Sequence, residues 1–206
     1  MVKDDAKFWD RVSRTYDKND KADETYLKML EVMKRYLKET DTLLDFGCAT
    51  GSISIDLSDS VRKVIGIDIS PEMIKLAKEK AERLQVENVY FARSTIFDMR
   101  HKEETYDAVM AFNILHLLDD PDLAIKRINS LLREGGIFIS NTACLSDKGR
   151  LIGGMMTLVS KIGLIPDVRK FRVSELKEMI ERNGFKILES LTFEDRHHPF
   201  IIARKL

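Results

Sequence analysis

The chain has 206 residues, with 34 Lys and Arg balanced by 34 Asp and Glu, so its formal net charge is zero. At 44% hydrophobic and 33% charged it reads as one globular domain rather than a disordered chain, since a domain averages roughly 150 residues. Neutrality argues against a protein that holds nucleic acid or an anionic membrane by bulk charge.

The N-terminus is charged and no apolar run follows it, so no secretory signal is read there, and residues 151–165 are too short and too interrupted by Lys161 to span a bilayer. Cys48 and Cys144 form neither a zinc pattern nor a disulfide framework. The expected location is cytoplasmic. Residues 1–40 read as a helical cap, with one apolar stripe at Phe8, Trp9, Val12 and Tyr16 and a second at Tyr26, Leu27, Leu30, Met33 and Leu37.

From residue 42 short apolar runs alternate with amphipathic segments. The runs at 42–46, 63–67, 89–92, 108–112 and 137–140 predict strands covered on both faces, as in a parallel sheet. Ser70-Pro71 and Asp120-Pro121 predict helix starts. Ile74, Ala77, Ala81 and Leu84 are the inward residues of the first helix; Ala124, Ile128 and Leu131 are those of the second, with Gly135 as its stop. A third helix starts at Ser174, turns Leu176, Met179 and Ile180 inward and ends at Asn183-Gly184. Strands at 187–193 and 200–203, joined by a turn around His198-Pro199, predict a closing hairpin whose last strand is antiparallel. The expected fold is therefore a doubly wound α/β sheet.

The segment from Leu43 to Gly51 runs from a strand into a loop with glycines at 47 and 51, where backbone amides can approach a ligand closely. About twenty residues on, the second strand ends in Asp68, placed to accept hydrogen bonds from a ribose. The pair points to a nucleoside-containing cofactor; alone, each has the plainer reading of a turn or a helix cap. Asp45 at the head of the loop would repel a pyrophosphate and suits a cofactor with a positive end, which disfavours NAD.

These residues resemble the class I S-adenosylmethionine-dependent methyltransferases. Asp45 to Gly51 resembles the first motif of that family, and Asp68-Ile69-Ser70-Pro71-Glu72-Met73 resembles the second. The stretch 106–116 resembles the fourth strand and its exit, and 132–137 the turn into the fifth. Within the family the pattern is most similar to the small-molecule branch of ubiquinone/menaquinone biosynthesis, on Phe8-Trp9-Asp10 with Tyr16-Asp17, on Arg182-Asn183-Gly184-Phe185 and on residues 200–204.

The resemblance implies a Rossmann-like, mostly parallel seven-stranded sheet. It divides one domain, 1–206, into a cap (1–40), a cofactor-binding core (41–144), a substrate lid or insertion (145–171) and a last helix with the hairpin (172–206). It implies S-adenosylmethionine as cofactor and S-adenosylhomocysteine as product, with contacts from Tyr16, Asp45, Gly47, Cys48, Ala49, Gly51, Asp68, Ile69, Met73, Thr95, Ile96, Phe112 and Asn113. Two positions depart from the family pattern. Ala49 replaces a commoner glycine and is tolerable if its φ is negative; Thr95 stands where Asp or Asn often faces the adenine.

No catalytic residue is assigned. His116 reads as a general base or, the favoured reading, as a histidine held by backbone hydrogen bonds, and Asn113 as a ligand contact or a cap. Asp119-Asp120 reads as a helix N-cap rather than a metal site, and His197-His198 as a surface turn. No metal is expected. The apolar, methionine-bearing tract after 145 reads as a lid over a small, apolar acceptor, a packed helix or a homodimer contact, with peripheral membrane contact open to it. Nucleic acid is disfavoured as acceptor. The rival readings are a binding or regulatory protein without catalysis and an aminopropyltransferase.

Overall fold

The computed structural model describes residues 6–17, 24–144, 169–193 and 196–206. Its centre is a seven-stranded sheet in the order β3-β2-β1-β4-β5-β7-β6. The strands are β1 (Thr42–Phe46), β2 (Lys63–Asp68), β3 (Val89–Arg93), β4 (Tyr106–Phe112), β5 (Leu132–Asn141), β6 (Phe185–Phe193) and β7 (Arg196–Lys205). Neighbours from β3 to β5 are parallel, and β7 runs antiparallel to both β5 and β6. All five residues of β1 are buried, which is why its apolar residues do not alternate with polar ones. One of them is Asp45, an acid in a central strand whose other residues are Thr, Leu, Leu and Phe.

Two apolar layers clamp the sheet. On one face Leu43, Val64, Ala108, Met110 and Ile139 pack with residues of α2 (Glu24–Tyr36) and α4 (Pro71–Arg83). On the other, Leu44, Ile67, Val109, Ala111 and Phe138 pack with residues of α5 (Pro121–Leu131) and α6 (Val173–Arg182). The remaining helices are α1 (Ala6–Tyr16) and the five-residue α3 (Ser52–Asp56). The chain turns from β1 outward to β2 and β3, then crosses back to β4 on the other side of β1. A crevice opens at such a reversal, over the carboxyl ends of β1 and β4.

The helix starts follow the sequence chemistry. The Ser70 hydroxyl accepts from the Met73 N–H at 3.1 Å and the Asp120 carboxylate accepts from the Leu123 N–H at 2.9 Å, each with Pro at the first helical position. At α6 the helix begins at Val173, one residue before the expected Ser174, because the Glu175 carboxylate reaches back to the Arg172 N–H at 2.8 Å.

Four expectations need correction. Leu27 is 55% exposed, and α2 instead buries Thr25, Met29, Val32 and Met33. Leu84 is 54% exposed because α4 ends at Arg83, before it could turn inward. Gly135 is not the stop of α5, which ends at Leu131; its φ of +71° serves the excursion at the start of β5, where Leu132 and Ile137 pair with Tyr106 and Ala108. His198 and Pro199 lie within β7 rather than in a turn, Pro199 opposite Thr192. Pro199 is past the end of the β5 pairing, which stops at Asn141 and Phe200, so the strand has one neighbour there and a missing N–H is tolerated. The expected lid falls mostly on residues 145–168, outside the described residues.

Gly51 holds the layers together by having no side chain. Its φ is +77°, and a Cβ would stand 2.4 Å from Cζ of Phe91, whose ring lies equally close over Gly66. Gly51→Ala combines a left-handed conformation with overpacking and is expected to cost roughly 3 kcal/mol, lowering Tm on the order of 10 °C. A thermal melt within about 2 °C of the wild type would show that Phe91 yields freely.

Candidate functional site

The crevice is built first from the loop after β1. The Gly47 and Cys48 N–H groups both donate to the Ile67 carbonyl, at 2.8 and 3.0 Å, and the Gly51 N–H donates to the Cys48 carbonyl at 2.9 Å. These bonds fold the loop back over the end of β2. Gly47 takes a φ of +78°. Ala49 also takes a positive φ, +47°, so the condition that would have made its methyl harmless is not met; the loop carries left-handed strain at a non-glycine residue.

Asp68, at the end of β2, ties this loop to the next one. Its carboxylate accepts the Ala49 N–H at 3.1 Å on one oxygen and the Ser70 N–H at 2.8 Å on the other. Burial pushes its pKa up, and the backbone donors of Ser70, Ala49 and Ile69 oppose that shift. A carboxylate has about four acceptor positions. The two amides use one on each oxygen and orient the group into a chamber of about 720 Å³, part of it open to solvent.

That chamber is walled mainly by apolar residues, among them Trp9, Ile69, Met73, Ile114 and Leu117, with Ser94, Thr95 and Asn113 as polar exceptions. It runs into a second chamber of about 1370 Å³, part of it open to solvent, through shared walls at Tyr16, Gly47, Ala49, Phe112 and Asn113. The second chamber is more polar. Asp45, Cys48, Thr50, Lys80 and Asn141 all reach it.

Asp45 is 4% exposed, and its side-chain partner is the Ser54 hydroxyl, which donates at 2.5 Å. Burial pushes its pKa up to about 7, with the Ser54 bond opposing and the nearby Asp68 charge adding to the rise. The thiol of Cys48 is raised for the same reasons, burial first and then the two carboxylates, so it stays protonated and is no nucleophile.

Helix α1 closes one side, pinned by one carboxylate at its middle and another just past its end. Asp10 accepts from the Ser70 hydroxyl at 2.5 Å and the Glu72 N–H at 3.3 Å. Asp17, just after the helix, accepts from the Thr50 hydroxyl at 2.5 Å and the Lys80 ammonium at 2.9 Å. Trp9, next to the first pin, and Tyr16, next to the second, face the cleft.

Of the residues expected at a cofactor site, eleven line one chamber or both: Tyr16, Asp45, Gly47, Cys48, Ala49, Asp68, Ile69, Met73, Thr95, Phe112 and Asn113. Gly51 and Ile96 line neither. Gly51 lies under Phe91, and the Ile96 side chain is fully buried in the core. Asn113 holds a φ of +51° and donates its N–H to the Asn141 carbonyl at 2.7 Å.

His116 lines neither chamber. Burial holds its imidazole pKa down to about 4, with His198 adding to the shift, and its Nδ1 has no hydrogen-bond partner among the described residues. The residue's carbonyl accepts the Arg169 N–H at 2.7 Å. Sequence reading placed Trp9 in the helical cap but not among the cofactor contacts, and it passed over Asn141 and Lys80. Asn141 is 3% exposed, and among the described residues its amide donates only to the Met29 thioether, at 3.9 Å. No group of three or more His, Cys, Asp or Glu side chains is poised for a metal among the described residues, and no helix there is long and apolar enough to cross a membrane.

The strain at Ala49 is measurable. Ala49→Gly is expected to gain about 1 kcal/mol, raising Tm by about 2–4 °C. A lower Tm would mean that the methyl makes contacts worth more than the strain it causes.

Comparison with known proteins bears on what this cleft belongs to. A family model described as a methyltransferase domain matches residues 37–191. The ubiquinone biosynthesis O-methyltransferase of Coxiella burnetii is 28% identical over 171 residues, which cover 77% of this chain and 71% of that protein. Among other curated relatives the chain spans 67% of one protein and 52% of another. Solved structures share the fold. The [4+2]-cyclase SpnF superposes with a TM-score of 0.79 at 16% identity, covering 97% of this chain and 94% of that one. The methyltransferase complexed with the Trm112 activator of Haloferax volcanii gives 0.76 at 18%, covering 99% of each. Because the matched stretch takes in every strand from β1 to β5 and the loops that make the cleft, the chain belongs to the class I S-adenosylmethionine-dependent methyltransferases.

Proposed function

We propose that the first chamber takes the nucleoside of S-adenosylmethionine, that the second takes its amino-acid end, and that the chain transfers the methyl group to a small acceptor at their junction. The observation that carries this is the Asp68 carboxylate, oriented by two backbone amides into an otherwise largely apolar chamber. Its remaining acceptor positions suit the two hydroxyls of a ribose. Ile69, Met73, Ile114 and Leu117 supply flat apolar contact for the adenine, and Ser94 and Thr95 its polar edge. Asp45, buried and without a cationic partner among the described residues, suits the cofactor's ammonium group.

In the reaction the methyl carbon–sulfur bond breaks, sulfur keeps the electron pair, and the acceptor's lone pair forms the new bond. Any proton on the acceptor leaves to solvent or to a neighbouring base. The chain's part is to orient the two reactants and exclude water. His116, off the cleft wall and neutral down to about pH 4, is not the base this reading uses.

The walls at the junction and in the second chamber support an apolar acceptor with one hydrogen-bonding group. Met29, Ile53, Ile55 and Phe112 provide the apolar contact, and Asn113 and Asn141 provide donors and acceptors. The O-methyltransferase named among the relatives makes phenols and quinols the acceptors to try first.

Calorimetry is expected to show micromolar binding of S-adenosylmethionine and S-adenosylhomocysteine and none of NAD. Asp68→Ala weakens that binding by more than about tenfold through loss of charge-assisted hydrogen bonds. Unchanged affinity in the folded variant would remove Asp68 from the ribose. Binding without turnover across the acceptor panel would favour a regulatory protein.

Affinity also depends on pH. A carboxyl whose pKa is raised to about 7 is mostly neutral below that pH, and an ammonium ligand favours its ionised form. Binding therefore releases a proton below pH 7, and affinity rises with pH by at most about tenfold per unit up to 7, then levels. Asp45→Asn should flatten this profile. A variant that keeps the wild-type slope would assign the proton to another group.

A further inference from the structure

The second chamber contains a built receptor for a carboxylate that the established family membership does not assign. Lys80 projects from α4 with its side chain only 15% exposed, and each of its three N–H donors has an acceptor: Ser52 at 2.8 Å, Asp17 at 2.9 Å and Thr50 at 3.2 Å. Thr50 is 1% exposed and turns its hydroxyl the same way. The Thr50 hydroxyl and the Lys80 ammonium thus offer one donor to each oxygen of a carboxylate. In this structure the carboxylate they hold is that of Asp17, whose own side chain is 43% exposed at the end of α1.

Asp45 stands in the same chamber, also on the first turns of α3 through its bond to Ser54. Asp45, which an ammonium ligand would hold ionised, and positive Lys80 flank that short helix, and a free α-amino acid carries the matching pair of charges. Resting on the reading of the cofactor above, we propose that Lys80 and Thr50 form the subsite for the cofactor's terminal carboxylate, and that Asp17 is an internal stand-in which the cofactor must displace. Loading then exchanges one carboxylate for another of the same geometry. It frees the end of α1 that carries Tyr16 on the cleft wall, while Asp10 keeps the middle of the helix on Ser70 and Glu72. Entry of the cofactor and movement of its cover become one event, because both carboxylates need the same two donors.

The test compares S-adenosylhomocysteine with 5′-methylthioadenosine, which keeps the nucleoside and thioether but lacks the amino acid, by calorimetry on the wild type, Asp17→Asn and Lys80→Met. Removing the competitor in Asp17→Asn is expected to tighten S-adenosylhomocysteine about fivefold, and Lys80→Met to weaken it about tenfold, with 5′-methylthioadenosine within about twofold throughout. Retained 5′-methylthioadenosine binding also reports that each variant is folded. If Asp17→Asn weakens both ligands in parallel, Asp17 merely holds the cover and the proposal is overturned; unchanged S-adenosylhomocysteine affinity overturns it as well. Failure of both ligands to bind the wild type would instead bring down the cofactor reading itself.

Discussion

The cleft depends on one carboxylate with backbone donors on both of its oxygens. Asp68 accepts from Ala49 in the loop after β1 and from Ser70 at the start of α4, so it sets the spacing of the two loops that form the wall. A buried carboxylate without those amides would be costly, and the same amides leave its free lone pairs aimed at the cavity. Support for the loop and the orientation of the carboxylate toward the cavity are therefore one arrangement. Ser70 carries it further, because its hydroxyl caps α4 and binds Asp10, which seats α1 beside the cleft.

The backbone strain is concentrated around the same place. Of the four described non-glycine residues with positive φ, two, Ala49 and Asn113, are cleft walls just past the ends of β1 and β4. Each has its N–H committed, to Asp68 and to the Asn141 carbonyl, and those bonds hold a conformation the residues would not choose alone. Together with the buried acid Asp45 they mark the part of the protein where local preference gives way to the shape of the site.

Fold alone would not have named a reaction. The superposition on a cyclase is as good as that on a methyltransferase, so the chemistry has to be argued from the site. Here the distribution of charge does that work. One chamber is largely apolar with a single oriented acid, and the other holds the buried acid Asp45, the exposed Asp56 at its wall and a fixed ammonium beside a polar junction. That division matches a ligand with a nucleoside at one end and a zwitterion at the other.

The sequence by itself determined the order of strands and helices, the closing hairpin, the Ser70 and Asp120 caps and the acid that follows the glycine loop. Each is a local pattern whose physics is complete within a few residues: buried strands read as apolar runs, and a cap needs only a side chain and an amide three positions on. Which side of α2 faces the core was not legible, since Leu27 and Met29 are both apolar and only the sheet beneath chooses between them. The sign of φ at Ala49 depended on where β2 placed Asp68. Only the tertiary structure brought Asp17, Thr50 and Lys80 together, or set Asn141 beside Asn113. Those contacts join elements 28 to 63 positions apart by these residue numbers, and ordinary-looking side chains acquire a role only when packing removes the water that would otherwise have been their partner.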